Sequence, residues 1–455
     1  MKTDFTADQL ARPAIADAAG ILKDCVHYGF CTAVCPTYVL LRDENDAPRG
    51  RIDLIHEMLE SDAAPTARTV GYIDRCLSCN SCMTTCAASV DFMHLADIAR
   101  AHIEKHYRRP LADRIFRQLI ARTVSDARQF RFAVRAARLA RPFARLLPGR
   151  LKSLVALAPA RLPPASAAIR PGVYPAEGKR TRRVALLTGC VQQALAPHLN
   201  DATIRLLTRH GCEVVVAGNI DCCGAFTLHM GHEDKAKKFA RGVIGAWNAE
   251  ADGDGLDAVV VNASGCGTTV KDYGRIFAHD PDIAAAASRV AGLARDVTEL
   301  VSEIGLLAPE NAVALKIAYH DACSLQHAQK VVEPPRALLR AAGFDVMDVP
   351  ERHFCCGSAG PYNMLQPDIA EQLGRRKAGH IESTGAAAAV AGNLGCMTQI
   401  AAYSDLPVVH TVELLDWATG GPMPVALTGI ELPPPAPAPV GAGASPAASD
   451  SQGIW

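Results

Sequence analysis

The sequence lacks the features that mark several common classes of enzyme and membrane protein. No G-x-G-x-x-G run opens a βαβ unit, which argues against a flavin or nicotinamide site in this chain. The first residues, MKTDFTADQLARPA, have no apolar signal-peptide core, and no apolar run approaches the ~18 residues of a spanning helix. We therefore expect a cytoplasmic chain that does not itself take a hydride from a substrate.

Cysteine, in contrast, is abundant, with 16 residues in a chain of 455. Clustered cysteines in a reducing compartment usually bind metal or carry out redox chemistry. Only Cys212 lies outside four groups, and we interpret it as a small buried hydrophobic residue. The first two groups are two runs that share the seven cysteines between Cys25 and Cys86. The third group is Cys190, Cys222, Cys223 and Cys266, and the fourth is Cys323, Cys355, Cys356 and Cys396.

The two N-terminal runs have the spacing of a two-cluster ferredoxin. CLSCNSCMTTC is complete, whereas CVHYGFCTAVCP keeps the frame of C-x2-C-x2-C-x3-C-P with Tyr28 at its second ligand position. In such runs the fourth ligand of each cluster is the last cysteine of the other motif. A zinc site is the alternative for paired C-x2-C runs. We predict one [4Fe–4S] cluster on Cys76, Cys79, Cys82 and Cys35, and a second cluster on Cys25, Cys31 and Cys86.

Tyr28 leaves the second cluster with three thiolates, and three interpretations follow. The site could hold a [3Fe–4S] cluster, it could hold a [4Fe–4S] cluster capped by phenolate or water, or the cluster could be lost. The spacing C-x5-C-x3-C-P resembles the [3Fe–4S] motif of the succinate dehydrogenase iron–sulfur subunit. We favour the three-iron interpretation.

The later cysteines belong to an internal repeat that predicts the fold. Each unit reads C-x31-C-C-G and closes on Gly-Cys, and the segments 204–215 and 336–347 both read as a helix, a glycine stop and a strand. Strands alternating with helices indicate α/β units with mostly parallel sheets. The cysteines would then lie at the carboxyl ends of strands, where such sheets place their sites.

A multidomain organisation follows from these patterns. Helical spacing in 51–60 and 93–106 indicates an α-helical ferredoxin-like domain, and two repeated α/β units, here called the first and second CCG units, come after it. The predicted boundaries are 1–107 for the ferredoxin-type domain (motifs at about 16–46 and 67–95), 108–182 for a basic, partly helical linker, 183–305 and 306–425 for the CCG units, and 426–455 for a disordered Pro/Ala/Ser tail.

Charge is concentrated in one segment of a chain whose net charge is zero. Residues 101–183 contain 20 Lys+Arg and 4 Asp+Glu, a local excess of +16. Within it, Arg128, Arg131, Arg135 and Arg138 share one face of a predicted helix, with Phe130 and Val134 on another. We predict that residues 128–145 contact an anionic lipid surface or an acidic partner, although a solvated linker helix has the same pattern.

Taken together, these segments resemble the glycolate oxidase iron–sulfur subunit family over residues 1 to about 420. The segments that carry the resemblance include CVHYGFCTAVCPTYVLL, APRGRIDLI, DRCLSCNSCMTTC, ASGCGTTVKDYG and CCGSAGPYNML. Members of that family have cysteine at the position of Tyr28, so this chain departs from them at a ligand. More distantly, the CCG units resemble those of heterodisulfide reductase, the anaerobic glycerol-3-phosphate dehydrogenase small subunit and lactate-utilisation proteins.

The resemblance implies additional centres in the CCG units. In that superfamily a CCG unit can bind an unusual [4Fe–4S] centre, and the fuller motif ends in C-x-x-C. Here Ala263 and Asn393 stand where the first of those cysteines would be. Each unit keeps four thiols, enough for one cluster, whereas a vestigial fold with buried thiols is the alternative. His320, Asp321, His327 and His353 lie beside the second group. They could tune or protonate a site there, and ordinary surface or core histidines are the alternative.

The resemblance also implies the function. The chain would be a non-substrate-binding subunit that carries electrons from FAD-containing subunits, which oxidise glycolate to glyoxylate, to a membrane quinone or another non-NAD acceptor. It would bind at the inner face of the cell membrane through partners or its basic segment, and it would not bind nucleic acid. The alternatives are the corresponding subunit of a D-lactate or glycerol-3-phosphate dehydrogenase complex, and a scaffold in which clusters only hold the fold.

Overall fold

The computed structural model describes residues 1–146, 170–218, 220 and 222–434, together with 152, 155, 158–159, 162–164 and 166. Its first hundred residues are helical. The N-terminal helices are Ala7–Leu10, Pro13–Asp24, Phe30–Ala33, Pro36–Leu41, Pro48–Glu60, Ala67–Asp74, Ser81–Thr85 and Phe92–His106.

Apolar side chains at helical spacing form the core of this helical region. Helix Pro48–Glu60 begins at a proline, whose missing N–H costs nothing at a helix start, and it buries Ile52, Ile55 and Leu59 on one face. Helix Phe92–His106 is capped by the carboxylate of Asp91 and packs Leu95 into the same core. The helices predicted at 51–60 and 93–106 are therefore present.

Two further helices, Leu111–Val124 and Ala127–Ala140, occupy the first half of the predicted linker. Ile120 and Ala121 of the first of these helices pack against Met230 and Leu365 from the two CCG units. The first helix of the predicted linker is therefore packed against both CCG units. Within the described part of the chain, no helix has both the length and the apolar character needed to cross a bilayer.

Two parallel sheets follow, one in each CCG unit. The first has the order β1-β3-β2-β4-β5, in which only the edge strand β1 runs antiparallel, and the second has the order β7-β6-β8-β9, which is parallel throughout. The strands are β1 Gly172–Tyr174, β2 Arg182–Leu187, β3 Cys212–Val216, β4 Ala258–Val261, β5 Ala294–Asp296, β6 Lys316–His320, β7 Asp345–Asp348, β8 Ala388–Ala391 and β9 Val408–His410.

The central strands are apolar because helices cover both faces of each sheet. Strands β4 and β8 are buried at every position, which is the pattern of a parallel sheet covered on both faces. The helices are Cys190–Leu195, His198–Arg209, Ala225–Leu228, Glu233–Asp252, Ser264–Lys271, Tyr273–Ile276, Ala284–Leu293 and Val297–Ile304 in the first unit, and Glu333–Ala341, Tyr362–Leu365, Pro367–Glu382, Leu394–Ala401 and Thr411–Ala418 in the second.

The predicted fold class, a helical ferredoxin-like domain followed by two α/β repeats with mostly parallel sheets, is confirmed. Cys212 is fully buried in the core between the sheets, as is Phe344 at the matching position of the second unit, so the prediction of a buried hydrophobic residue is also confirmed. The domain boundaries stay predictions, and residues 435–455 of the predicted tail lie outside the described part of the chain.

Candidate metal centres

The thiols of the complete N-terminal motif lie together in the protein interior. Burial raises the pKa of Cys82 well above its usual value, and the neighbouring thiols of Cys79, Cys76 and Cys35 add to the rise. Neighbouring thiolates repel one another, so thiols that lie this close keep their protons. A bound metal would replace those protons. The structure thus brings together the four cysteines predicted to hold the first cluster, and their role as ligands stays a prediction.

The remaining N-terminal cysteines form a second group. Burial raises the pKa of Cys31, and the thiols of Cys86 and Cys25 raise it further. The three line a cleft with an empty volume of about 480 Å³, which Tyr28 and Phe30 also line. Tyr28 is 65% exposed, and its ring is stacked on that of Phe30 with centroids 6.1 Å apart.

A buried arginine lies beside the first group. Arg51 is 1% exposed, and its Nη1 lies 3.9 Å from the Sγ of Cys35. Its other donors bond Thr37, the carboxylate of Asp46 at 3.2 Å and the carbonyl of Tyr72. Arg51 was not predicted as a site residue, although it falls in the segment APRGRIDLI. A buried guanidinium here fits an anionic group held by thiolates.

We expect Arg51→Met to cost about 1–3 kcal/mol of unfolding free energy, because the buried carbonyl of Tyr72 loses its donor, while Asp46 keeps Arg75 as its remaining partner. Arg49→Met on the same helix is the matched control, since Arg49 pairs with Glu44 near the surface, where such pairs contribute below about 1 kcal/mol. Denaturant unfolding of both variants measures the difference. Equal midpoints would show that Arg51 is not a stabilising element.

The first CCG unit gathers its four predicted thiols from the segments that follow β2, β3 and β4. The thiol of Cys190 donates to Cys222 at 3.7 Å, which lowers the pKa of Cys222, and Cys223 lies beside Cys222 and Cys266. The Ser125 hydroxyl, at the end of a linker helix, also lowers the pKa of Cys222. No spacing or motif predicted that Ser125 would reach this group.

The second CCG unit repeats this arrangement with different neighbours. Cys323 donates to Cys355 at 3.8 Å, while Cys356 lies beside Cys396. Asn393, at the position of the missing motif cysteine, donates from Nδ2 to the Sγ of Cys396 at 3.4 Å. The ligand atoms of His320, Cys356 and Cys396 all lie within 4.8 Å of one another.

The glycine of each C-C-G run is required by the backbone. Gly224 and Gly357 have φ angles of 90° and 91°, and a Cβ would lie 2.7 Å from the carbonyl oxygen of Ala236 in the first unit and of Ala370 in the second. Their amides donate to Cys222 and Cys355 at 3.4 Å. The turn therefore directs an N–H at one thiol of each unit, as an anionic sulfur requires.

The N-terminal region docks its complete motif against the second CCG unit. Cys79 is close enough to Cys323 for that thiol to raise its pKa, after burial itself. Leu77, Cys79, Cys355 and Tyr362 share one apolar cluster, and the Tyr362 hydroxyl donates to the carbonyl of Arg75 at 2.9 Å. Thr84 bonds His327 across the same contact at 2.8 Å. Two predicted thiol groups are thereby brought into contact.

Other predicted residues lie in different roles. Asp321 forms an ion pair with buried Arg336, and His353 accepts a hydrogen bond from His327 at its carbonyl. On helix Ala127–Ala140, Arg128 and Arg135 are exposed, whereas Arg131 donates to the carbonyl of Pro163.

Comparison with known proteins identifies two families within the chain. Residues 21–90 match the family described as 4Fe-4S dicluster domain, and residues 184–271 and 317–401 match the Cysteine-rich domain. These ranges include the cysteines of all four predicted groups.

Curated relatives match the chain over most or half of its length. The chain is 39% identical over 418 residues to the glycolate oxidase iron-sulfur subunit of Escherichia coli, covering 92% of this chain and 99% of that protein. It is 27% identical to the probable glycolate oxidase iron-sulfur subunit of Bacillus subtilis, covering 88% and 95%. Lactate utilization protein A of Shouchella clausii is 30% identical and covers 51% of this chain and 98% of its own length.

Proposed function

Because the chain belongs to the glycolate oxidase iron–sulfur subunit family, we propose that it is the electron-transfer subunit of a complex that oxidises glycolate. It would accept electrons from FAD-containing partner subunits and deliver them to quinone or another membrane acceptor. An iron–sulfur cluster, when bound, exchanges single electrons, which suits a relay between a flavin and a quinone.

The contact between Cys79 and the thiols of the second CCG unit carries this proposal. At this contact the chain buries two thiol groups side by side, and the buried side chains of Leu77 and Tyr362 pack around them. A scaffold would need neither this contact nor a buried arginine beside Cys35. Arg51 would hold the first centre by placing positive charge next to its ligands.

The exposure of Tyr28 supports a three-thiolate second centre. Its ring lies against Phe30, and more than half of its surface faces solvent. A tyrosine that capped iron would be held toward Cys25, Cys31 and Cys86. We therefore keep the [3Fe–4S] assignment for this centre, with the capped [4Fe–4S] site as the competing one.

Identification of the flavoprotein that co-purifies with the chain tests the choice of substrate. A glycolate-oxidising flavoprotein supports the proposal. A D-lactate-oxidising one supports the second candidate, which the matches to lactate utilization proteins favour over about half of the chain. Absence of any flavoprotein from the purified complex would argue for the scaffold.

Membrane binding would use a surface on the second linker helix and the turn after it. Helix Ala127–Ala140 and the turn after it expose Phe132, Leu139 and Phe143 at 72%, 79% and 62%, next to Arg128 and Arg135. We call these five residues the basic surface. Apolar side chains flanked by arginines suit an anionic lipid surface, where each arginine contributes about 1 kcal/mol.

We expect Arg128→Glu/Arg135→Glu to weaken binding to vesicles containing anionic lipid at least about tenfold, through the loss of both attractions. Arg352→Glu/Arg375→Glu, which makes the same change of charge at exposed positions of the second CCG unit, is the control. Vesicle co-sedimentation of the complex at physiological salt measures both. Equal binding of the two variants would refute the assignment of the basic surface.

A further inference from the structure

The two CCG units differ at one strand position next to their thiols. Strand β2 ends at Leu187 and strand β6 at His320, and each residue lies three positions before the first cysteine of its unit. In the sheets Leu187 pairs with Val261, and His320 pairs with Ala391. The first unit thus places a leucine where the second places an imidazole.

His320 is buried beside the thiols of the second group. It is 1% exposed, and neither ring nitrogen makes a hydrogen bond of ordinary geometry among the described residues, although the imidazole lies close enough to the Cys356 thiol to lower the pKa of that thiol. Burial of a polar group that is not fully hydrogen-bonded costs free energy, so a buried imidazole persists where a further partner satisfies it. The thiols of Cys356 and Cys396, within 4.8 Å, are donor atoms that could share such a partner.

This set of donor atoms suits a metal. With metal–sulfur bonds of about 2.3 Å and metal–nitrogen bonds of about 2.0 Å, ligand atoms of a tetrahedral ion lie about 3.5–3.8 Å apart. The observed limit of 4.8 Å is compatible with closure around one ion. Thiolate and imidazole together select zinc or iron over magnesium or calcium.

We propose that His320 is a metal ligand of the second CCG unit and joins Cys356 and Cys396. It supplies the donor that is lost where Asn393 replaces the family's motif cysteine. The first unit, with Leu187, has thiols only. The two repeats therefore hold different centres, one bound by sulfur alone and the other by sulfur and nitrogen.

The two units also differ on the helix that packs against the C-C-G turn, where the second unit again has a polar residue in place of an apolar one. The carbonyls of Ala236 and Ala370 contact the glycines of the two C-C-G runs, so these alanines are equivalent positions. Seven residues further along the same helices lie Val243 in the first unit and Lys377 in the second. Lys377 is 2% exposed, lies near Cys356 and donates to the carbonyl of Glu351 at 2.8 Å. Its positive charge is suited to a site that holds thiolates.

The proposal extends the iron–sulfur function without depending on the N-terminal centres, and the experiment separates the two. The complete complex is purified anaerobically as wild type, His320→Leu and His320→Cys. Iron and zinc are measured per chain, and X-ray absorption reports the nitrogen and sulfur ligands. Either a zinc ion or the iron of a cluster could be bound by these ligands in the second unit, and the metal content per chain distinguishes the two.

We expect His320→Leu, which copies the first unit, to lose the metal of the second unit while the spectra of the N-terminal centres persist. His320→Cys should retain that metal and replace its nitrogen ligand by sulfur, which keeps the test decisive if the leucine variant does not fold. Metal content and ligand spectrum unchanged in either variant would overturn the proposal. Wild type without N-terminal iron would instead overturn the proposed function.

Discussion

The variant Cys79→Ala should lose one cluster's complement of iron and abolish quinone reduction, while the flavin of the partner subunits is still reduced by substrate. Cys79 is buried among the thiols of the complete motif and against Cys323, so alanine removes one of the four predicted ligands of the first cluster. Iron analysis, flavin absorbance and quinone reduction in the purified complex measure the three effects.

Cys212→Ala is the matched control for this experiment. Its thiol is fully buried in the core between the sheets, away from every predicted centre, and a small cavity there should cost at most about 1–2 kcal/mol. Its iron content and quinone reduction should equal those of wild type. Quinone reduction by Cys79→Ala at the wild-type rate would show that electrons do not pass through this part of the chain.

Tyr28→Cys should convert the second N-terminal centre from a three-iron to a four-iron spectrum and lower its reduction potential. The substitution restores the missing thiolate beside Cys25, Cys31 and Cys86. Tyr28 lies at the rim of an open cleft, so the smaller cysteine side chain fits there without a steric clash. A [3Fe–4S] centre is paramagnetic when oxidised, whereas a low-potential [4Fe–4S] centre is not, and cluster type and charge set the potential. Electron paramagnetic resonance with a redox titration measures both changes.

Tyr28→Phe separates the two remaining interpretations of this centre. The phenol is lost, but the ring and its stacking on Phe30 are kept. If the ligand position is vacant, the spectrum of this variant should match wild type. A four-iron spectrum in wild type that changes in Tyr28→Phe would show that the phenolate binds iron, and the three-iron assignment would be wrong.

Much of the fold follows from local sequence patterns. The repeat of C-C-G and the buried strands predicted two α/β units, because parallel sheets need strands that are apolar along their whole length. The same patterns placed a cysteine after each of β2, β4, β6 and β8, and the structure has Cys190, Cys266, Cys323 and Cys396 there. Pairing of the N-terminal thiols followed from ferredoxin spacing, and the structure groups those thiols in the same way.

Contacts between distant segments could not be predicted. Arg51 reaches Cys35, Ser125 reaches Cys222 and Cys79 meets Cys323 only because helices from separate parts of the chain pack together. His320 was noted as a neighbour, but its position within 4.8 Å of the thiols of Cys356 and Cys396 depends on how the loops after β7 and β8 return to the end of β6. None of these relations has a spacing in sequence that would reveal it.

For helix Ala127–Ala140, the periodicity of the sequence predicted the helix but not which of its side chains are exposed. Spacing assigned its arginines to one face and Phe130 and Val134 to another. The structure buries Val134, exposes Phe132 and Leu139, and ties Arg131 to the carbonyl of Pro163. Periodicity predicted the helix correctly, whereas the packing of the linker against the first CCG unit decided which of its residues meet solvent.

Anaerobic addition of glycolate to the purified complex, followed by quinone, tests electron transfer through this chain most directly. If the chain is the relay, its iron–sulfur absorbance should bleach as fast as the complex turns over, and quinone should restore it. Flavin reduction and full quinone turnover with no change in the iron–sulfur signals would contradict it, and the clusters would then only hold the fold.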